Sequence, residues 1–436
     1  MRPSPVVEEP GVRALAARLL RQCLDRRITV EDAVEGDASA AMLPSRDRAL
    51  LVNILLTAFR HQGEIEALLK DFLAKPLPRK SGAARDILAL GIAQLLFLRM
   101  PPHAVIDESV RAAKADRNAL HFSGLVNAVL RKAAGSGGDM LAGLDAALLN
   151  TPASLAARWT KTYGAEATRL IGLAHATRPP LDLSIKHEDG ALQSLLGGEV
   201  LPNGQLRLPA DHTSVPELPG YREGIWWVQD AAATIPAALL GDIQGLEIAD
   251  LCAAPGGKTL QMAAKGARVT AVDISEARLG RLRANLARTG LQAEIRAEDV
   301  LSPGFSGQWD AVLLDAPCSA TGTIRRHPEL PHIRQEDQLK ELTRLQRQML
   351  QKAAELVKPA GRLVYCTCSL EPEEGERQLQ WFLGWRTDFA VLPATLSWLP
   401  AEALRADGSV RTLPFMALGE SKGIDGFFSA VLQHKG

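Results

Sequence analysis

Leu-Glu-Ile-Ala-Asp-Leu-Cys-Ala-Ala-Pro-Gly-Gly-Lys-Thr, residues 246–259, decides the fold. Leu246 to Leu251 is a short, mostly apolar run of the kind that forms a buried strand. The small residues and proline after it stop the strand, and a helical pattern follows to Lys265. Arg268 to Val272 reads as a second strand, ending in Asp273. Strand, Gly-rich turn, helix and an acid at the end of the next strand describe a site for an adenosine-type cofactor. Small residues let the backbone approach the ligand, and the acid accepts hydrogen bonds from ribose hydroxyls.

Working outward, the same alternation continues. Glu276 to Thr289 is a helix, and Ala293 to Ala297 is a third strand before Glu298 and Asp299. Ala311 to Leu314 is a fourth, ending in Asp315, and Arg362 to Tyr365 a fifth, after a long helix from Gln338 to Val357. Phe427 to Leu432 is a late strand. Such alternation predicts a doubly wound, mostly parallel α/β sheet over residues 223–436. Three kinds of loop compete for Cys252 to Lys258. A P-loop needs glycine where Cys252 stands, and a dinucleotide fingerprint needs Gly-x-Gly-x-x-Gly, which is absent. A methyltransferase loop for S-adenosylmethionine tolerates Cys252, Ala253, Ala254, Pro255, Gly256 and Gly257. Asp273 would then hold the ribose and Asp299 the adenine amine.

Two thiols stand near the ends of the fourth and fifth strands. One is Cys318, in Asp315-Ala-Pro-Cys-Ser-Ala-Thr-Gly322; the other is Cys368, in Tyr365-Cys-Thr-Cys-Ser369. Cys366 and Cys368 share a face unless the strand ends between them. Cys-x-Cys alone is two ligands, and no Cys/His cluster of zinc spacing completes a metal set. A thiol nucleophile, a second thiol and a carboxyl group beside a sulfonium methyl donor suit methylation of a pyrimidine at carbon 5. That carbon is too weak a nucleophile until a thiolate adds at carbon 6. Either Cys318 or Cys368 could attack, and Asp315 is placed to promote the addition at N3 of a cytosine.

The chain has 436 residues, 46% of them hydrophobic and 23% charged, with a formal net charge of zero. Those values fit an ordinary globular protein of two or three domains and exclude a global basic signature for nucleic acid. Five cysteines without a framework spacing, no apolar signal region and no long apolar run lead to the expectation of a cytoplasmic protein without a membrane span. A monomer is expected. Residues 1–140 read as an all-α domain of about six helices, among them a central apolar one over Ile87 to Leu98. Gly135-Ser-Gly-Gly-Asp139 reads as a linker. Arg13, Arg18, Arg21, Arg26 and Arg27 suggest RNA contact, although the charge pattern alone favours solvated helix surfaces. Residues 141–222 read as a small α+β connecting domain, with strands at Leu181–Ile185 and Leu206–Leu208.

Residues 250–259, 315–322, 325–328 (Arg-Arg-His-Pro) and 367–369 (Thr-Cys-Ser) together resemble the Sun family of RNA 5-methylcytosine methyltransferases. Within it the chain is similar to the bacterial RsmB (Fmu/Sun) type, which acts on a cytosine of 16S ribosomal RNA. That type starts with a NusB-like helical domain, which Pro101-Pro-His103 and residues 124–131 fit. The resemblance implies a Rossmann-like methyltransferase domain, S-adenosylmethionine as cofactor and 16S rRNA as partner. It implies a cofactor site made of Cys252 to Lys258 with Asp273, Asp299 and Asp315, Cys368 as nucleophile, Cys318 as the thiol that assists product release, and a contact of Lys258 with the target base. Two departures stand out. Glu374-Gly375-Glu376 replaces the usual Glu-Asn-Glu, and Ser184-Ile185-Lys186 replaces an Arg-x-Asn. Both are expected to leave the core chemistry untouched.

Overall fold

Alternating strand and helix patterns after residue 245 and helical spacing before residue 135 become two separate compact units. The computed structural model describes residues 11–78, 80–187, 190–211, 214–335 and 337–436. One unit holds the described residues up to Thr177 together with Ile324–Arg334, and the other holds Arg178–Thr323 and Gln335–Gly436. Helices Ala146–Asn150, Ala153–Tyr163 and Ala165–His175 thus belong to the helical unit and not to a connecting module.

In the helical unit, apolar residues at helical spacing on Val12–Arg26 and Ser45–Arg60 meet in one core with Ala84–Ile92. Leu15, Leu19, Leu51, Ile54 and Leu88 are all at most 1% exposed there. The long apolar run ends in a π-turn, Ala93–Phe97, and Pro102 starts the next helix, where its missing N–H costs nothing. More helices form than the six expected before residue 135, because the short segments Val30–Glu35 and Ala38–Met42 are capped by Thr29 and Asp37. The expected linker at Gly135–Asp139 is also overturned: helix Ser123–Ala142 runs straight through it. Gly137 lies against Leu96, which a Cβ would approach to 3.0 Å, so the small residue serves close helix packing. Three of the early arginines are partnered inside the unit. Arg13 donates to buried Gln94, Arg18 pairs with Asp37, and Arg21 pairs with Asp86.

Ile324–Arg334 completes this unit although it comes from the middle of the other one's sequence. The ring of His332 stacks on Phe59 at 5.9 Å, Arg60 donates to the Arg325 carbonyl at 2.8 Å, and the Val30 N–H reaches the Glu329 carboxylate at 3.3 Å.

The second unit begins with strands β1 (Leu181–Ile185), β2 (Glu199–Val200), β3 (Leu206–Leu208) and β4 (Trp226–Val228). They form an antiparallel sheet in the order β2-β3-β1-β4, with helix Gly190–Leu196 between β1 and β2. Alternation puts Leu181, Leu183, Leu206, Leu208 and Trp226 in one apolar cluster. On the other side Arg207 makes a two-point ion pair with Asp182 at 2.6 and 2.8 Å. Ser184 donates to Gln229, Gln229 donates to Gln261, and Lys186 donates to the Thr289 carbonyl. The departure at Ser184–Lys186 is therefore part of an internal polar seam.

The main sheet comprises β5 (Glu247–Leu251), β6 (Arg268–Asp273), β7 (Glu294–Ala297), β8 (Trp309–Asp315), β9 (Val357–Thr367), β10 (Phe389–Leu392), β11 (Val410–Arg411) and, after the small β12–β13 hairpin (Ala417–Leu418, Ser421–Lys422), β14 (Phe428–His434). Its order is β10-β14-β9-β8-β5-β6-β7, with β11 beside β14. Strands β5 to β9 are parallel, and β14 runs antiparallel to β9. Val312 and Leu314 of β8 are fully buried with Met349, Leu350 and Ala353 of helix Gln338–Glu355. From β5 the chain winds outward through β6 and β7, then returns to β8 on the other side. The β5/β8 border is the switch point, where the strand ends open a crevice.

Candidate active site

At the end of β5 the backbone turns sharply. Cys252 has φ +61° and Gly256 φ +109°. A Cβ on Gly256 would lie 2.3 Å from Leu282 Cδ1, so the loop can pass there only as glycine. Helix Gly257–Ala264 then starts with no side-chain cap and no acid in its first turn, which leaves its positive end unneutralised. Asp273, 3% exposed at the end of β6, accepts from Ala254 N at 3.2 Å and from Ser275 N at 2.9 Å. The Arg278 guanidinium stands 3.2 Å from the same carboxylate and donates to the Ala254 carbonyl. Asp299 is exposed after β7 and accepts from Leu301 N. A glycine turn and acids ending β6, β7 and β8 fit an adenosine-type cofactor. Beneath the loop, Asp250 is fully buried and accepts from Thr259 Oγ1 at 2.5 Å, and its second oxygen has no partner. Burial pushes its carboxyl up to about 7.

Across the switch point, Asp315 ends β8 opposite Cys366. One carboxylate oxygen accepts from Lys258 Nζ at 2.7 Å and the other from Cys366 Sγ at 3.4 Å. Lys258 is 8% exposed, with its ammonium 5.1 Å from the Phe427 ring centre. Burial disfavours that charge, but Asp315 and the neighbouring acids outweigh it and hold the pKa above the ordinary lysine range. Strand β9 ends at Thr367, so Cys368 leaves the strand's alternation and turns to Cys318, Sγ to Sγ 3.5 Å. The two thiol loops are laced together through Gly322, whose N–H donates to the Cys368 carbonyl and whose carbonyl accepts from Gly426 N. A Cβ on Gly322 would come within 1.8 Å of the Gly426 oxygen. The hydrogen bond with Cys368, burial and the charge of Glu374 push the Cys318 thiol well up.

The structure thus brings Lys258, Asp315, Cys318 and Cys368 to one edge of the sheet, beside the loop 252–258 and Asp273, with Asp299 farther along that edge after β7. The side chain of Asp315 contacts Lys258 and Cys366. Glu374, which the Glu374-Gly375-Glu376 departure leaves in place, stands beside the thiols. The Glu374 carboxylate accepts from the N–H and hydroxyl of Ser319, the residue after Cys318. A run of three acids among Glu371–Glu374 reads as a solvated turn, and only the neighbouring Thr-Cys-Ser motif hinted otherwise.

Among described residues no group of three His, Cys, Asp or Glu is placed to hold a metal, and no helix is long and apolar enough to cross a membrane. Comparison with known proteins identifies the lineage. A ribosomal RNA small subunit methyltransferase B of Sodalis glossinidius is 37% identical over 88% of this chain and 92% of its own length. The chain belongs to the RsmB family of ribosomal RNA small subunit methyltransferases. The RsmB namesake of Vibrio cholerae is 35% identical over 97% of both chains. The family model for 16S rRNA methyltransferase RsmB/F matches residues 237–433, and that of the NusB family matches residues 11–135. A solved methyltransferase homologue from Pyrococcus horikoshii superimposes with a TM-score of 0.55 at 29% identity, covering 66% of this chain and 98% of that one.

Proposed function

We propose that this RsmB-family chain methylates carbon 5 of a cytosine in 16S rRNA, through a covalent adduct between Cys368 and carbon 6 of the base. The observation that supports it most is the pair of thiols 3.5 Å apart beside the Lys258–Asp315 ion pair, at the C-terminal edge of a methyltransferase sheet. S-adenosylmethionine, when bound, supplies the methyl group as a sulfonium. Cys252 to Lys258 would cradle it, Asp273 would hold the ribose hydroxyls and Asp299 the adenine amine. The Cys368 thiolate forms the S–C6 bond while Asp315, in its protonated form, donates a hydrogen bond or its proton to N3, and the Lys258 ammonium beside it offsets the negative charge that builds up on the ring. Carbon 5 then takes the methyl group, with S-adenosylhomocysteine as the leaving group; its proton passes to a base, and the electron pair of that C–H bond expels sulfur from carbon 6 to return the Cys368 thiolate. Cys318, 3.5 Å from Cys368, assists that release.

Single substitutions test the division of labour. Cys368→Ala should abolish methylation and leave no covalent complex with a 16S rRNA transcript. Cys318→Ala should still attack and transfer methyl, then stall as a methyl-labelled protein–RNA band on a denaturing gel. A covalent band from Cys368→Ala with none from Cys318→Ala would reverse the roles.

A further inference from the structure

Glu374 takes no part in that chemistry, yet it is fully buried between the two thiol loops. Burying a carboxylate is costly unless hydrogen bonds replace its water. Here they do. One oxygen accepts from Ser319 N at 2.9 Å and from Gln346 Nε2 at 3.0 Å, and the other accepts from Ser319 Oγ at 2.5 Å. Gln346 also donates to the carbonyl of Pro317 at 2.9 Å, so Cys318 is held from both sides by one network. In each contact the carboxylate accepts; burial pushes its pKa up, and these hydrogen bonds act against that.

The Glu374 carboxylate faces mainly Ser319 and Gln346, with a further hydrogen bond to Ser369, whereas its main chain faces the strand that leads to Cys368. Its carbonyl accepts from Tyr365 Oη at 2.7 Å and Thr367 Oγ1 at 3.3 Å, on the strand that leads to Cys368. That strand end has further anchors: Gly322 N–H on the Cys368 carbonyl, Arg411 on the Ser369 carbonyl, and Glu371 N–H on the Ser369 hydroxyl. A substitution at Glu374 removes the carboxylate and keeps the carbonyl. It loosens the Cys318 loop far more than the Cys368 strand.

We infer that Glu374 is the positioning residue that holds Cys318 against Cys368, and that its side chain governs release of the methylated base rather than the attack on it. The inference rests on the two-thiol reading above. Glu374→Gln keeps the volume but turns an N–H group toward a ring of donors, losing at least one charge-assisted bond, enough for about a tenfold effect or more on the step it serves. In single-turnover assays with methyl-labelled donor and 16S rRNA transcript, methyl transfer by Glu374→Gln should stay within a few-fold of wild type. Multiple-turnover rate should fall about tenfold or more, and the methyl-labelled covalent band should accumulate as it does for Cys318→Ala. A misplaced domain would lower both rates together and trap nothing. If Glu374→Gln does not fold, Ser319→Ala, which deletes one hydroxyl donor to the Glu374 carboxylate, should also raise the covalent band above wild type. A band from Cys318→Ala with none above wild type from the folded variant overturns the positioning role and leaves the two-thiol reading standing. The absence of any band from Cys318→Ala overturns that reading itself.

Discussion

Asp273→Asn probes the cofactor side of the site with little change in volume. The wild-type carboxylate accepts from Ala254 N and Ser275 N and faces Arg278, all within 3.2 Å. Asparagine keeps one oxygen, so its NH₂ group must turn toward one of two N–H donors. One hydrogen bond to a charged acceptor is lost, a cost of about 1.5–3 kcal/mol. Because Ala254 lies in the loop itself, part of that cost falls on the fold. The remainder falls on the ligand if the carboxylate also takes ribose hydroxyls. A loss of about 2 kcal/mol in binding corresponds to a roughly 30-fold weaker Kd. Calorimetric titration with S-adenosylhomocysteine should show that weakening, and thermal denaturation without ligand should show a lower midpoint. A lowered midpoint with wild-type affinity would refute the reasoning: Asp273 would then shape the loop without touching the cofactor.

Asp250 gives a pH dependence. Its carboxyl is pushed up to about 7, so above the ordinary carboxylate value of about 4 the folded unit keeps a proton that the unfolded chain has released. The stability linked to it is full below about pH 4 and is lost as the pH rises through about 7. Asp250→Asn does not titrate, so its thermal midpoint should gain on wild type between about pH 5 and 8; parallel curves would exclude the buried proton. Gly375→Ala places a Cβ 2.5 Å from Arg411 Nη2 and 2.8 Å from Phe428 Cγ, and should destabilise by about 1–3 kcal/mol in chemical denaturation. An unchanged midpoint would mean that Arg411 yields its place without cost.

The parts of this molecule that the sequence makes legible are those where local pattern and burial agree. Parallel strands such as β8, buried on both faces, read as apolar runs, and the acids that end β6 and β8 mark the crevice. Local reading fails where distant packing chooses the conformation. Gly135–Asp139 has the composition of a linker, and the approach of Leu96 makes it helix. Glu374 sits among acids that look solvated, and it is buried because the two thiol loops close over it. Nothing in Ile324–Arg334 announces that it packs on Phe59 and Val30, since the partners lie about 300 residues away.

That last segment bears on the order in which the protein is made. Helices from Val12–Arg26 to Ala165–His175 leave the ribosome first, but the unit they form is finished only when Ile324–Arg334 arrives. At about 5–20 residues per second, strands β1 to β8 take of the order of ten to thirty seconds to pass in between. During that interval the N-terminal helices must hold an unfinished face around Phe59, and its closure is timed by the synthesis of the very strand that carries Asp315.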